Sequence, residues 1–341
     1  MNKYIAEDIN IVKQDPIINE IKENSSVFIT GITGLIGSNL ARTLLYLEKN
    51  ITIYALVRDI NKARRLFPTE KICFIEGNIV DEIQACSVDY IFHCASITTS
   101  KIMVESPVET IMTSVIGTKN VLDLAVKSGC KSLVFVSSME MYGGFSESKE
   151  IKENDLGYID PLQVRSNYPE SKRMCENMCI AYQKQYGINT KIARLAQSFG
   201  PGILPNENRI FAQFARSVIN KENIILHTQG LSEGNYCYIR DCILGLIYIL
   251  LRGKSGEAYN VVNINSHTTI RNMAEMVCHN IANDEIQLII DIPETNVFGY
   301  AKDTKMKLNA SKLMELGWRP TVDLEESYIR LIESLREDNN E

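Results

Sequence analysis

The sequence predicts an α/β protein, an open doubly wound parallel sheet with a smaller C-terminal α+β lobe. Three observations predict it. Short apolar runs alternate with helix-length amphipathic segments from Ser26 to about Gly200, a glycine turn joins the first such run to the first such helix, and the rhythm loosens beyond Gly200.

Residues 1–25 form a polar, helical extension ahead of the first strand, punctuated by Pro16. VFIT, ITIYALV, KICFIEG, VDYIFHCAS and SLVFVSS are then rich in β-branched and aromatic residues, and segments such as SNLARTLLYLEK and VIGTKNVLDLAVKSG separate them. That alternation implies βαβ units whose parallel strands are covered on both faces. The helix SKRMCENMCIAYQKQYG and the strand TKIARLAQ complete a domain over 26–200. Residues 201–341 open with the loop FGPGILPNENR, continue with the helix FAQFARSVIN and end in DLEESYIRLIESLRE; they read as a substrate lobe interleaved with the end of the sheet.

Composition narrows the partners. The 341 residues carry 42 acids against 36 bases, a net charge of -6, which argues against a nucleic-acid partner. No apolar run approaches the roughly 18 to 20 residues of a membrane span, and the start, MNKYIAEDINIVKQD, lacks the pattern of a signal peptide. The nine cysteines are odd in number and scattered through apolar segments, as thiols in the cytoplasm would be. Cys175/Cys179 and Cys237/Cys242 lack the tight spacing and histidine partners of a zinc site, so no metal is expected.

The run Thr30-Gly31-Ile32-Thr33-Gly34-Leu35-Ile36-Gly37 lies between a strand and a helix, the setting in which a Rossmann-type turn brings backbone N–H groups and a helix N-terminus to a pyrophosphate. Gly31, Gly34, Leu35, Ile36 and Gly37 are therefore candidate dinucleotide ligands. At the end of the second strand stands Arg58, followed by Asp59. An arginine there pairs with a 2′-phosphate and tilts the choice between NAD and NADP toward NADP.

Tyr168 and Lys172 share a helix face at i, i+4. A lysine ammonium beside a phenol, together with a cationic nicotinamide, favours phenolate and makes tyrosine a base nearer neutrality. The fifth apolar run ends in Ser137-Ser138-Met139-Glu140, which brings hydroxyl and carboxyl groups to the carboxyl edge of a parallel sheet, where ligands bind in open α/β folds.

GITGLIG, the segment SSMEMYG and YPESK, in this order, resemble the extended short-chain dehydrogenase/reductase family, and within it the nucleotide-sugar epimerases, dehydratases and decarboxylases. RLAQSFGPG, NYCYIRD and KLMELGWRP extend the resemblance over about residues 26 to 335. It implies an NAD(P)-dependent enzyme that oxidises C4 of a nucleotide-diphosphate sugar to a transient 4-keto intermediate. In this reading Ser138 holds the sugar hydroxyl, Tyr168 is the base and Lys172 binds the nicotinamide ribose. Asn78 and Ile79 border the adenine, while Cys94, Ala95 and Ser96 line the nicotinamide side. The helices VIGTKNVLDLAVKSG and SKRMCENMCIAYQKQYG resemble those that pair two copies into a four-helix homodimer interface.

The resemblance also locates departures. Glu140 matches a glutamate of the dehydratases and of UDP-glucuronate decarboxylases, where a second carboxylate serves as base or proton relay. The aspartic acid that precedes it in dehydratases is Met139 here, which tilts the reading toward decarboxylases. Gln197 replaces a substrate-contacting asparagine, and Gly234 occupies the place of an arginine that holds the diphosphate, leaving Arg209 or Arg216 to supply a cation. Two alternatives remain open: an NADPH-dependent reductase of a keto-sugar or other carbonyl, and a non-catalytic cofactor-binding scaffold.

Overall fold

Seven apolar runs pair into one parallel sheet in the computed structural model of the chain, which describes residues 1–84, 87–145, 147, 149–293 and 303–340. They are β1 (Ser26–Thr30), β2 (Thr52–Val57), β3 (Ile72–Glu76), β4 (Tyr90–His93), β5 (Ser132–Ser138), β6 (Thr190–Leu195) and β7 (Ala258–Val261). Their spatial order is β3-β2-β1-β4-β5-β6-β7, with every neighbouring pair parallel. Winding runs outward in one direction from β1 and in the other from β4. The loops leaving the carboxyl ends of those two strands therefore border the crevice where such sheets bind ligands.

The helices are α1 (Lys3–Gln14), α2 (Leu35–Tyr46), α3 (Ile60–Leu66), α4 (Ser100–Glu105), α5 (Pro107–Ser128), α6 (Asn167–Tyr186), α7 (Ile210–Asn220) and α8 (Ile239–Arg252), with shorter ones and a C-terminal helix, Leu324–Asn340, after them. Alternation along β1 shows how the sheet acquires two cores. Val27 and Ile29 pack with Leu40, Ala41 and Leu44 of α2 and with Leu246 and Ile247 of α8. Phe28 faces the other way, into Ile91, Leu133 and Phe135, covered by Val121 and Leu122 of α5 and by Cys175 and Cys179 of α6.

A third core joins Phe211 and Phe214 of α7, Met273 and Val277, and Tyr328 and Leu331 of the C-terminal helix. This half does not stand apart from the sheet, because β7 pairs with β6 and α8 packs on the core beneath β1. The N-terminal extension is pinned here by one buried carboxylate: Asp8 accepts from Tyr238 Oη (2.6 Å), Arg240 Nη1 (3.1 Å) and Arg330 Nη2 (3.1 Å).

Lys191 is an anomaly in the middle of β6. Its side chain is buried, and Nζ donates to Ser132 Oγ at 2.6 Å and to Leu250 O at 3.0 Å, with no ion pair for it among the described residues. Burial pulls its pKa down from 10.5 to about 8. The unfolded chain therefore holds a proton that the folded chain has lost between those two values, so stability rises with pH across that window. Lys191→Met is expected to flatten this rise, worth about 3 kcal/mol at most, and to leave the protein as stable or more stable at pH 7. Urea unfolding at pH 7 and pH 10 checks it; a parallel slope in the variant would contradict it.

Candidate active site

The glycine turn is built for close approach. Gly31 has φ +71°, and a Cβ placed on it would lie 2.8 Å from Ala95 N; one on Gly37 would lie 2.3 Å from Gly31 O. Only glycine lets β1, α2 and the loop after β4 come together so tightly. Helix α2 starts behind Gly34 without a side-chain cap, so the N–H groups of Leu35, Ile36 and Gly37 have no partner inside the helix. Those donors, at the positive end of the helix dipole, fit a pyrophosphate.

Beside the turn, Thr30 Oγ1 accepts from Ala95 N at 3.0 Å and lies 2.8 Å from His93 Nδ1, while His93 Nε2 lies 3.1 Å from Thr118 Oγ1. Burial, then the charge of Lys172, pushes His93 down to about 3, so the imidazole is a neutral bridge that fixes Cys94, Ala95 and Ser96. Burial also pushes the Cys94 thiol up to about 12, far from a reactive thiolate. Ser96 Oγ is buried beside the Tyr168 phenol, on which it acts as a hydrogen-bonding neighbour. Of the two residues expected to border the adenine, Ile79 is buried against Gly117 of α5 and Asn78 is exposed. Arg58 is exposed just past β2, and Asp59 is committed to capping α3 through Lys62 N at 2.8 Å.

Ser138 closes β5, and its Oγ accepts from Glu140 N at 3.2 Å, which holds the following turn. Helix α6 brings Tyr168 and Lys172 to the same place. Both are buried; Lys172 Nζ donates to Val136 O at 2.9 Å and lies 5.7 Å from the centre of the Tyr168 ring. Burial, then the charge of Glu140, pushes the Tyr168 phenol up to about 12, while Ser138, Ser96 and Arg165 pull it the other way. Sequence reasoning assigned the downward pull on this phenol to Lys172; here it comes from Ser138, Ser96 and Arg165 and is outweighed by desolvation, which also lowers the pKa of Lys172 itself.

Several supporting residues escaped sequence reasoning. Arg165 Nη2 donates to Glu140 Oε2 at 2.8 Å, and its guanidinium stands 5.7 Å from the Tyr168 ring centre. Arg173 ties down the turn after Ser138 through the carbonyls of Met141, Tyr142 and Gly157. Glu176 accepts from Ser137 Oγ at 2.6 Å and from Arg194 Nη2 at 2.7 Å. The repeat Tyr168, Lys172, Glu176 at i, i+4, i+8 was the available signal for Glu176.

Of the residues expected at the substrate, Gln197 has a buried Oε1 without a partner among the described residues. Gly234 lies in a short strand paired with Thr268, and a Cβ added to it would meet nothing within 4 Å. Arg209 precedes α7 and pairs with Glu207 through Nη2 at 2.6 Å; Arg216, two turns into α7, donates to Glu207 O at 2.7 Å. Both guanidinium groups are anchored to the loop ahead of α7, and among the described residues neither forms a hydrogen bond to the cluster around Tyr168.

Comparison with known proteins places the chain among nucleotide-sugar enzymes in sequence and fold. The chain is 29% identical over 320 residues to UDP-glucuronic acid decarboxylase 6 of Arabidopsis thaliana, covering 92% of this chain and 90% of that protein. It is 28% identical over 324 residues to UDP-glucuronic acid decarboxylase 1 of Xenopus tropicalis, covering 93% and 73%. Among solved structures it shares its fold with the UDP-glucose 4-epimerase of Thermotoga maritima, at a TM-score of 0.79 and 22% identity over 92% of this chain and 99% of that one. The UDP-glucuronic acid 4-epimerase of Bacillus cereus gives 0.76 and 19% over 92% and 99%. The profile described as the NAD dependent epimerase/dehydratase family matches residues 27–264, and the chain belongs to that family of enzymes.

Proposed function

We propose that the protein is a nicotinamide-dependent enzyme of nucleotide-diphosphate sugars that works through a transient 4-keto sugar, with decarboxylation of a hexuronate as its outcome. The observation that carries this reading is Glu140, a carboxylate held beside Tyr168 and Ser138 at the carboxyl edge of the sheet. Met139 in front of it has no proton to give a leaving hydroxyl.

Ser138 holds the C4 oxygen in this scheme and Tyr168 takes its proton. A nicotinamide dinucleotide, held by the glycine turn and by Lys172, would supply the reversible hydride acceptor for C4. A C5 carboxylate is then β to a ketone, so the C5–C6 electron pair passes into the enolate as carbon dioxide leaves, and C5 must be reprotonated. Glu140 and Tyr168 are the titratable groups at that place. Lys172 holds the ribose, while Gln197 offers its unpartnered oxygen to the bound molecules.

Residues 201–341 supply most of the substrate lobe in this reading, with Arg209 or Arg216 near the diphosphate. Arg58 seats a 2′-phosphate, which supports use of NADP beside the family's NAD. Exposed Val108 and Met112 of α5 and Met174 and Ile180 of α6 support a homodimer across those helices. The decisive experiment incubates the protein with UDP-glucuronate and other nucleotide sugars. Loss of carbon dioxide without net consumption of free dinucleotide is expected; stoichiometric NADPH oxidation would instead establish a reductase. Native mass spectrometry of the same preparation reads which dinucleotide it carries and whether two chains assemble, and a bare monomer would remove both subsidiary proposals.

A further inference from the structure

Among the described residues Arg165 is the one guanidinium that the fold brings over the Tyr168 ring, and it already binds a carboxylate there. Its bond to Glu140 is single, Nη2 to Oε2 at 2.8 Å. An arginine fork carries five N–H donors and engages a carboxylate best in pairs. Among the described residues no further hydrogen bond of this guanidinium is formed, so most of its donors are free. Both partners are partly open to solvent, with side-chain exposures of 36% for Arg165 and 40% for Glu140, unlike the phenol beneath them. An ion pair so exposed contributes little to stability and exchanges partners readily.

We infer that Arg165 is the specificity-determining residue of the site, receiving the carboxylate of the substrate's sugar in exchange for Glu140. This rests on the hexuronate reading above. If Tyr168 addresses the C4 oxygen, the carboxylate on the adjacent C5 projects from the neighbouring ring carbon. Two cations stand 5.7 Å from the tyrosine ring centre, Arg165 and Lys172, and of the two only Arg165 is open to solvent. Lys172 is buried and spends a donor on Val136 O. Arrival of the substrate carboxylate then releases Glu140, which is left free beside the phenol to exchange a proton with the substrate. Glu140 acts as a placeholder anion in the absence of a carboxylated sugar, and a neutral sugar leaves the Arg165–Glu140 pair closed.

The test compares binding of UDP-glucuronate and UDP-glucose by calorimetry to the dinucleotide-loaded protein and to three variants. Arg165→Met is expected to weaken UDP-glucuronate by about 10- to 100-fold, the range of a charge-assisted hydrogen bond, and UDP-glucose by no more than about 2-fold. Arg165→Lys should restore part of the loss. Glu140→Gln should tighten UDP-glucuronate by removing its competitor, and in Arg165→Met/Glu140→Gln that gain should vanish. Equal weakening of both ligands in Arg165→Met, or a Glu140→Gln gain that persists without Arg165, overturns the inference and leaves the hexuronate reading in place. Failure of the unaltered protein to bind either nucleotide sugar overturns the reading and the inference together.

Discussion

Tyr168→Phe is expected to lower kcat by about 100- to 10,000-fold, the usual contribution of a positioned acid–base group, while dinucleotide binding and folding persist. The ring is buried, so phenylalanine keeps its packing and loses only the oxygen. Lys172 keeps its bond to Val136 O, and the glycine turn is untouched. The same phenol predicts the pH dependence of the unaltered enzyme. Burial and Glu140 push its pKa to about 12, so it is protonated at neutrality and the reactive phenolate becomes more abundant as pH rises. The logarithm of kcat/KM should therefore climb from pH 6 to pH 9. Glu140→Gln removes a charge that raises the phenol, so in that variant the rise should move to lower pH. Steady-state rates with UDP-glucuronate, and native mass spectrometry for the retained dinucleotide, check both statements. Undiminished turnover in Tyr168→Phe would remove the tyrosine from the chemistry.

Much of this architecture is legible in the sequence, for reasons that are local. Strands buried on both faces need unbroken apolar runs, which is why SVFIT and SLVFVSS stand out, and a turn in which a Cβ would sit 2.3 Å from a carbonyl oxygen accepts only glycine. Ser138, Tyr168 and Lys172 were legible because each occupies a strand end or a helix repeat. The pairs that position them were not. Arg165 and Glu140 meet across 25 positions of chain, and an arginine just ahead of a helix is indistinguishable by type from a solvated one. Lys191 and Arg194 both lie in the buried strand TKIARL, where cations are expensive, yet only the fold shows that Arg194 has a carboxylate and that Lys191 has none among the described residues. The effect of desolvation on Tyr168 was equally hidden, because sequence supplies the neighbouring charge and not the depth of burial.

Arg194→Met is expected to cost about 3 to 5 kcal/mol of stability and to reduce turnover as well. Arg194 and Glu176 have side-chain exposures of only 8% and 7%, and they meet through Nε and Nη2 on both carboxylate oxygens. Burial works against the guanidinium charge, but the bonds to Glu176 outweigh it and keep Arg194 protonated. Its Nη1 also donates to Tyr142 Oη at 3.0 Å and to Glu153 O at 2.6 Å, so one residue ties β6 to α6 and to the segment after β5. Methionine would leave Glu176 a buried carboxylate with Ser137 Oγ as its remaining donor, the costly way to break such a pair. Replacing both partners, Arg194→Met with Glu176→Leu, should recover part of the loss because no orphaned charge remains. Chemical unfolding of the two single variants and the double variant measures this coupling, and a strictly additive result would show that the pair is not the source of the stability. The catalytic consequence follows from the helix repeat. Glu176 lies one turn beyond Lys172 and two beyond Tyr168 on the same face of α6, so the anchor that holds Glu176 to Ser137 also sets how far Tyr168 reaches toward Ser138. A kcat deficit that the double variant fails to restore, despite regained stability, would separate this positioning role from simple support of the fold.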